Sequence, residues 1–171
     1  MTILRNVDGF DFTSAPTWKA TRYDAWKFYR SHNPCGKEAV DILAISIADK
    51  TGYLIEIKDY SRQKATLPSQ LPEILFSKTL HTLAMLLPTA VNSNEEAESS
   101  FAREFLRVKL LRVFYHIEQP QGKIPPIDLA DIQQKLIPWL RGIDAAFRIV
   151  SLETKQLPWK VNRAQDRKHH V

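Results

Sequence analysis

The run Tyr53-Leu54-Ile55-Glu56-Ile57-Lys58 carries an acid and a base two residues apart in an otherwise apolar stretch. In a strand that spacing puts both side chains on one face. Charges in so hydrophobic a setting must be paired, bound to a metal or placed at a solvated strand end. For Glu56 and Lys58 alone, the plainest reading is a solvated edge strand on which Lys58 discourages edge-to-edge pairing. Asp41, near the start of the preceding run Val40 to Ala48, adds a second carboxylate. With Asp49-Lys50 as a two-residue turn, Asp41 falls opposite Lys58, and Glu56 is a diagonal neighbour on the same face. With Asp49 to Gly52 as a four-residue loop, Asp41 falls opposite Tyr60, about 14 Å along the strand from Glu56. A three-residue loop turns the faces over. In the first arrangement Asp41 and Glu56 can hold one Mg2+ or Mn2+, with the Ile57 carbonyl and waters completing an oxygen shell. Lys58 beside that cation is suited to orienting or deprotonating a water and to stabilising charge on a phosphate.

The elements that must position these residues follow from patterning. Residues 1–16 read as an extended arm. Thr17 or Thr21 is placed to cap a helix running to about Arg30, stopped by His32-Asn33-Pro34-Cys35-Gly36. The two apolar runs around Asp49 to Gly52 form a hairpin. Pro68 and Pro72 open a long helix to Leu87, closed by Pro88. Its residues Leu71, Ile74, Leu75, Thr82 and Met85 trace one face, and Phe76, Leu80, Leu83 and Leu87 another. A helix apolar over most of its circumference must pack against a sheet and a further element. A helix over 93–106, a strand from Leu110 to Ile117, a helix from Leu129 to Leu140 and a strand from Ala146 to Leu152 complete the order. This alternation predicts an α/β or α+β fold with a central mixed β-sheet flanked by helices. The expected organisation is an arm over 1–16, one domain over 17–154 and a basic tail over 155–171.

With 171 residues, 44% of them hydrophobic and 25% charged, the chain is an ordinary globular length and is neither collagenous nor disordered in composition. The longest apolar run, Leu83 to Leu87, is far short of a membrane span, and no secretory leader is evident. A single cysteine, Cys35, excludes an internal disulfide and fits a reducing, cytoplasmic compartment. Only five glycines are present, and no phosphate-binding glycine loop, so ATP chemistry is not intrinsic. The net charge of +5 is uneven, with +4 of it in the tail from Lys155 onward. A second basic cluster comprises Lys19, Arg22, Lys27 and Arg30. Such patches attract polyanions, and the candidate contacts to a phosphate backbone are Arg22, Lys27, Arg30, Arg62, Lys64, Lys160 and Arg163. Lys78 shares a face with Ile74 and Thr82, from which it reaches towards the cleft or snorkels outward. Gln70 is placed to meet a phosphate at a helix start. His169 and His170 match no ligand spacing, His81 reads as a surface or half-buried histidine, and His116 lies in an expected strand with no recognisable partner.

Val40-Asp41 followed by Glu56-Ile57-Lys58 resembles the Asp…(Asp/Glu)-x-Lys signature of the PD-(D/E)xK, or restriction-endonuclease-like, nucleases. The fuller stretches Lys37 to Leu43 and Leu54 to Tyr60 resemble the small nuclease domains of phage, prokaryotic repair and defence systems. The resemblance implies a restriction-endonuclease-like core and metal-dependent cutting of phosphodiesters, most simply in DNA. It assigns Asp41 and Glu56 to the metal and Lys58 to the attacking water, with a 5′-phosphate product. Families of this group often place a further acid on the first helix, where Asp24 is the candidate, with Glu38 behind it. Val40 stands where the signature often has proline. A small domain that cuts both strands implies a homodimer or a separate recognition or helicase partner. The alternatives are a nuclease for RNA or branched substrates, and a nucleic-acid-binding or protein-interaction module without catalysis.

Overall fold

The computed structural model describes residues 1–33, 36–61, 70–120 and 127–164. Its centre is a five-stranded mixed sheet of order β3-β4-β5-β6-β7, comprising Trp18–Arg22, Ile42–Ser46, Thr51–Asp59, Leu110–Glu118 and Arg148–Val150. β3, β4 and β5 are antiparallel neighbours, whereas β5, β6 and β7 run parallel. Parallel pairing requires crossovers. Helices α2 (Leu71–Asn92) and α3 (Glu96–Phe105) link β5 to β6, and α4 (Leu129–Leu140) links β6 to β7. All three cover one face of the sheet, where Leu43, Ile45, Leu54, Val113 and Tyr115 meet Leu75, Leu86, Phe105 and Leu136. The α/β architecture expected from the alternation of elements is therefore present.

The opposite face is covered by a small antiparallel sheet of β1 (Ile3–Val7), β2 (Phe10–Thr13) and β8 (Lys160–Arg163). Residues 1–16, expected as an arm, thus contain two strands, and part of the expected tail supplies the third. Phe10, Phe12 and Trp159 pack on Ile42, Ile55, Ile57 and Phe114 of the central sheet. Burial of these aromatic rings offsets the entropy of closing a contact between chain segments this far apart.

The helix expected from Thr17 to Arg30 does not form. Its first half is β3, followed by a 3-10 turn at Tyr23–Ala25 and the short helix α1 (Lys27–His32). The alternation Trp18-Lys19-Ala20 suits an edge strand, and pairing with the fully buried β4 satisfies its backbone. The Lys27 and Phe28 N–H groups donate to the Glu98 carboxylate at 2.7 and 3.1 Å, so α3 supplies the cap that α1 lacks in sequence. Pro88 does not end α2, which continues to Asn92. As a whole α2 is long and apolar enough to cross a bilayer by length and composition, although no uninterrupted apolar run suggested it. The same helix packs on α3 and α4 and buries Leu75, Met85 and Leu86 in the core.

Candidate active site

The hairpin turns at Ile47 to Lys50, two residues earlier than Asp49 to Gly52. Ser46 pairs with Thr51 and Ile42 with Ile55. Carried one residue further, this register sets Asp41 opposite Glu56, rather than opposite Lys58 or Tyr60. Gly52 holds the turn against α3: a Cβ there would stand 2.9 Å from the Phe105 ring, so only glycine fits without displacement. Asp41 then leaves the strand ladder. Its carbonyl accepts from Tyr23 N–H at 2.8 Å, and its side-chain Oδ2 accepts from Ile57 N–H at 2.7 Å.

Glu56 is fully buried on the helix-covered face, and two ammonium groups converge on one of its oxygens. Lys78, from α2, lies 2.6 Å from Oε1, and Lys58 lies 3.2 Å from the same atom. The other oxygen, Oε2, is buried without a hydrogen-bond partner. Lys78 also reaches Glu38 at 3.0 Å, so a largely exposed acid and a buried one share it. The sequence marked Lys78 as able to reach the cleft, and its bond to Glu56 decides between that and snorkelling. Its bond to Glu56 was not legible because two turns of helix and the connection after β5 separate it from the hairpin.

Electrostatics follow from this packing. Burial, and next the Glu56 charge, push the Asp41 carboxyl up to about 8. Burial pushes the Glu56 carboxyl up as well, while Lys78 and Lys58 pull it back. For both lysines burial disfavours the ammonium, but Glu56 outweighs it and holds each above its ordinary value. Lys58 is therefore a charged donor, suited to orienting a water or a phosphate rather than to removing a proton. Ile57 enters the cluster through its N–H.

Asp41, Lys58 and Lys78 open onto a pocket of about 460 Å³, lined also by Asp24, Arg30, Lys37 and Glu38 among others, whereas Glu56 is fully buried and does not line it. Asp24 borders it while bonded to Arg22 at 2.9 and 3.1 Å, the local ion pair its neighbours suggest. Among the described residues, no group of three or more His, Cys, Asp or Glu is arranged to hold a metal ion. The carboxylates available to a cation are those of Asp41 and Glu56, with Oε2 of Glu56 unpartnered and Asp41 raised by burial first and by the Glu56 charge second. Both features suit a cation placed between them.

The basic surface is more neutralised than composition implied. Lys19 pairs with Glu104 and Lys27 with Glu95, so the acids of α3 face the first basic cluster. Arg163 bonds Asp59 at 2.8 Å and Ser61 at 2.9 Å. Arg30 lines the pocket and Lys160 is exposed. Arg62, Lys64, Cys35, His169 and His170 lie outside the described residues. On the other face of the sheet His116 is fully buried, its Nε2 standing 2.9 Å from Glu118.

Together these features define a class: a mixed α/β domain with a buried carboxylate–lysine cluster opening at one side of its central sheet. No family model matches the chain, and no solved structure matches it. Among curated proteins it is similar to the cysteine–tRNA ligase of Neisseria meningitidis serogroup A / serotype 4A (strain DSM 15465 / Z2491), at 24% identity over 206 residues. That similarity covers 92% of this chain and 29% of the ligase, so the chain spans less than a third of the relative it matches.

Proposed function

We propose that the chain is a metal-dependent phosphodiesterase, an endonuclease acting on DNA, with Asp41 and Glu56 holding Mg2+ or Mn2+. The single observation that carries this is the unpartnered, buried Oε2 of Glu56, whose other oxygen is held by Lys58 and Lys78, two residues that line the pocket together with Asp41. The signature resemblance supports the same assignment, and so does the finer reading of a restriction-endonuclease-like core. The antiparallel β3-β4-β5 followed by parallel β6 accords with that core. Of the two further ligands expected from the sequence, Ile57 meets Asp41 through its N–H and Asp24 is held by Arg22, so the two carboxylates carry the assignment.

When bound, the cation would supply Lewis acidity to the scissile phosphate and a lowered pKa to a water. The protein's own contribution is positional. Asp41 is fixed by the Ile57 N–H, and Glu56 by Lys78. Lys58 keeps its charge, orienting the water for in-line attack and offsetting the negative charge that builds on the phosphate. Water attacks phosphorus, the P–O3′ bond breaks, and the 5′ fragment end keeps the phosphate. Arg30 and Lys37 at the rim are placed to meet the backbone, with Lys160 on the adjoining small sheet as an exposed cation.

Two observations favour other readings. Glu56 already carries two ammonium groups on Oε1, which suits a binding module on the same fold without catalysis. The similarity to a protein named for tRNA favours RNA as the substrate. The test is cleavage of plasmid, linear, branched and single-stranded DNA and of RNA with Mg2+ or Mn2+, comparing the native chain with Lys58→Ala and Asp41→Ala. Cleavage of DNA that both substitutions abolish supports the proposal. Cleavage that neither diminishes ends it.

A further inference from the structure

Helix α2 has a second apolar face that the described elements cover only in part: Phe76 and Leu83 are half-buried against the core, whereas Leu80, Leu87 and Val91 are exposed. Its buried side presents Leu75, Lys78, Thr82, Met85, Leu86 and Thr89 to the sheet and its neighbours. On the other side, Phe76, Leu80, Leu83, Leu87 and Val91 recur at spacings of three and four, forming one stripe along the helix. Leu80, Leu87 and Val91 are 42, 61 and 72% exposed. Trp139 of α4, 38% exposed, extends the stripe sideways through its ring contact with Phe76. The further element that the sequence pattern called for is supplied by α3 and α4, and the exposed residues of this stripe lie beyond what they cover.

We propose that the face is covered by α2 of a second copy of this chain, packed antiparallel about a twofold axis near Leu83 and Ala84. The stripe is self-complementary about that midpoint. Counting outward, Leu80 matches Leu87, and Phe76 matches Val91. Ala84, small and exposed, stands at the crossing, where close approach of two helices needs a small side chain. An isologous contact requires this kind of palindrome, since each patch must fit itself. The area also agrees. The stripe with Trp139 exposes on the order of 500 Å² of apolar side chain, and with a polar rim in ordinary proportion each copy would bury roughly 800 Å², the size of a stable interface. Lys78 lies on the opposite face of α2, so the pairing leaves the carboxylate–lysine cluster untouched. The inference does not rest on the proposed chemistry.

The experiment is light scattering coupled to gel filtration over a range of concentrations, together with cysteine cross-linking in a Cys35→Ser background. The native chain is expected at twice its 19.7 kDa mass, and Leu87→Glu, which adds a charge on an exposed position, at the single mass with an unchanged circular dichroism spectrum. Ala84→Cys is expected to form a disulfide-linked dimer on mild oxidation. Val91→Cys is expected not to, because antiparallel pairing sets the two copies of residue 91 about 22 Å apart at 1.5 Å per residue. A native chain that stays at single mass overturns the proposal, as does a dimer that Leu87→Glu leaves intact. Efficient cross-linking through Val91→Cys overturns the antiparallel arrangement. Sedimentation of a single-mass chain with phosphatidylcholine vesicles would assign the face to a bilayer surface instead.

Discussion

Lys78 and Glu56, 22 residues apart in sequence, meet at 2.6 Å between Nζ and Oε1 in the buried space between α2 and β5. The contact ties the crossover helix to the strand that carries Glu56 and Lys58, and it leaves the second Glu56 oxygen free. Lys78 is thus a positioning residue for the site.

Removing one member of a buried ion pair strands the other. Lys78→Met and Glu56→Gln are each expected to cost about 3–5 kcal/mol in urea unfolding. The double substitution is expected to cost less than the sum of the two, because the Glu56–Lys78 contact is then lost only once. Additive losses would show that the contact carries no coupling.

The Asp41 carboxyl makes stability depend on pH with a definite sign. In the folded protein it keeps its proton up to about 8, whereas in the unfolded chain it loses it near 3.9. Between those values the folded state holds more protons, so stability falls as pH rises. Thermal melts in chelator should show Asp41→Asn gaining over the native chain progressively from pH 5 to pH 9. A gain independent of pH would contradict the assignment.

His116 acts in the other direction. Burial holds its imidazole down to about 4, so it enters the folded protein neutral. Below about 6.5 the unfolded chain takes up a proton that the folded one refuses, and stability is lost as pH falls from there towards 4. His116→Phe, beside Phe10 in an aromatic setting, is expected to flatten this acid limb in melts between pH 4 and pH 7. An unaltered limb would place the loss elsewhere.

Gly52→Ala should destabilise the hairpin turn, since the new methyl meets the Phe105 ring at 2.9 Å. A loss of about 1–3 kcal/mol is expected. Phe105→Leu, by relieving the clash, should recover part of it.

The parts of this architecture visible in sequence were those with local signals. The hairpin runs were apolar and β-branched, and Leu129 to Leu140 had a clean stripe, to which the structure adds an Asp128 cap. The same-face placement of Glu56 and Lys58 was legible from strand parity, but the face and the opposing partner of Asp41 depended on a turn that Ile47 to Lys50 make in place of Asp49 to Gly52. Trp18 to Arg22 formed a strand because β4 offered a partner, which no window of those residues encodes. β2 and β8 pair across almost the whole chain, so neither segment shows its fate alone. Lys78 was ambiguous for a related reason, since its destination depends on how α2 sits over the sheet.

The central claim is that Asp41 and Glu56 share one cation pocket, and Mn2+ titration by calorimetry at pH 8 tests it most directly. The native chain should bind one ion per copy, and Asp41→Asn, still folded, should bind it at least tenfold more weakly. Equal affinity in the two proteins, or no binding by the native chain, would contradict the account.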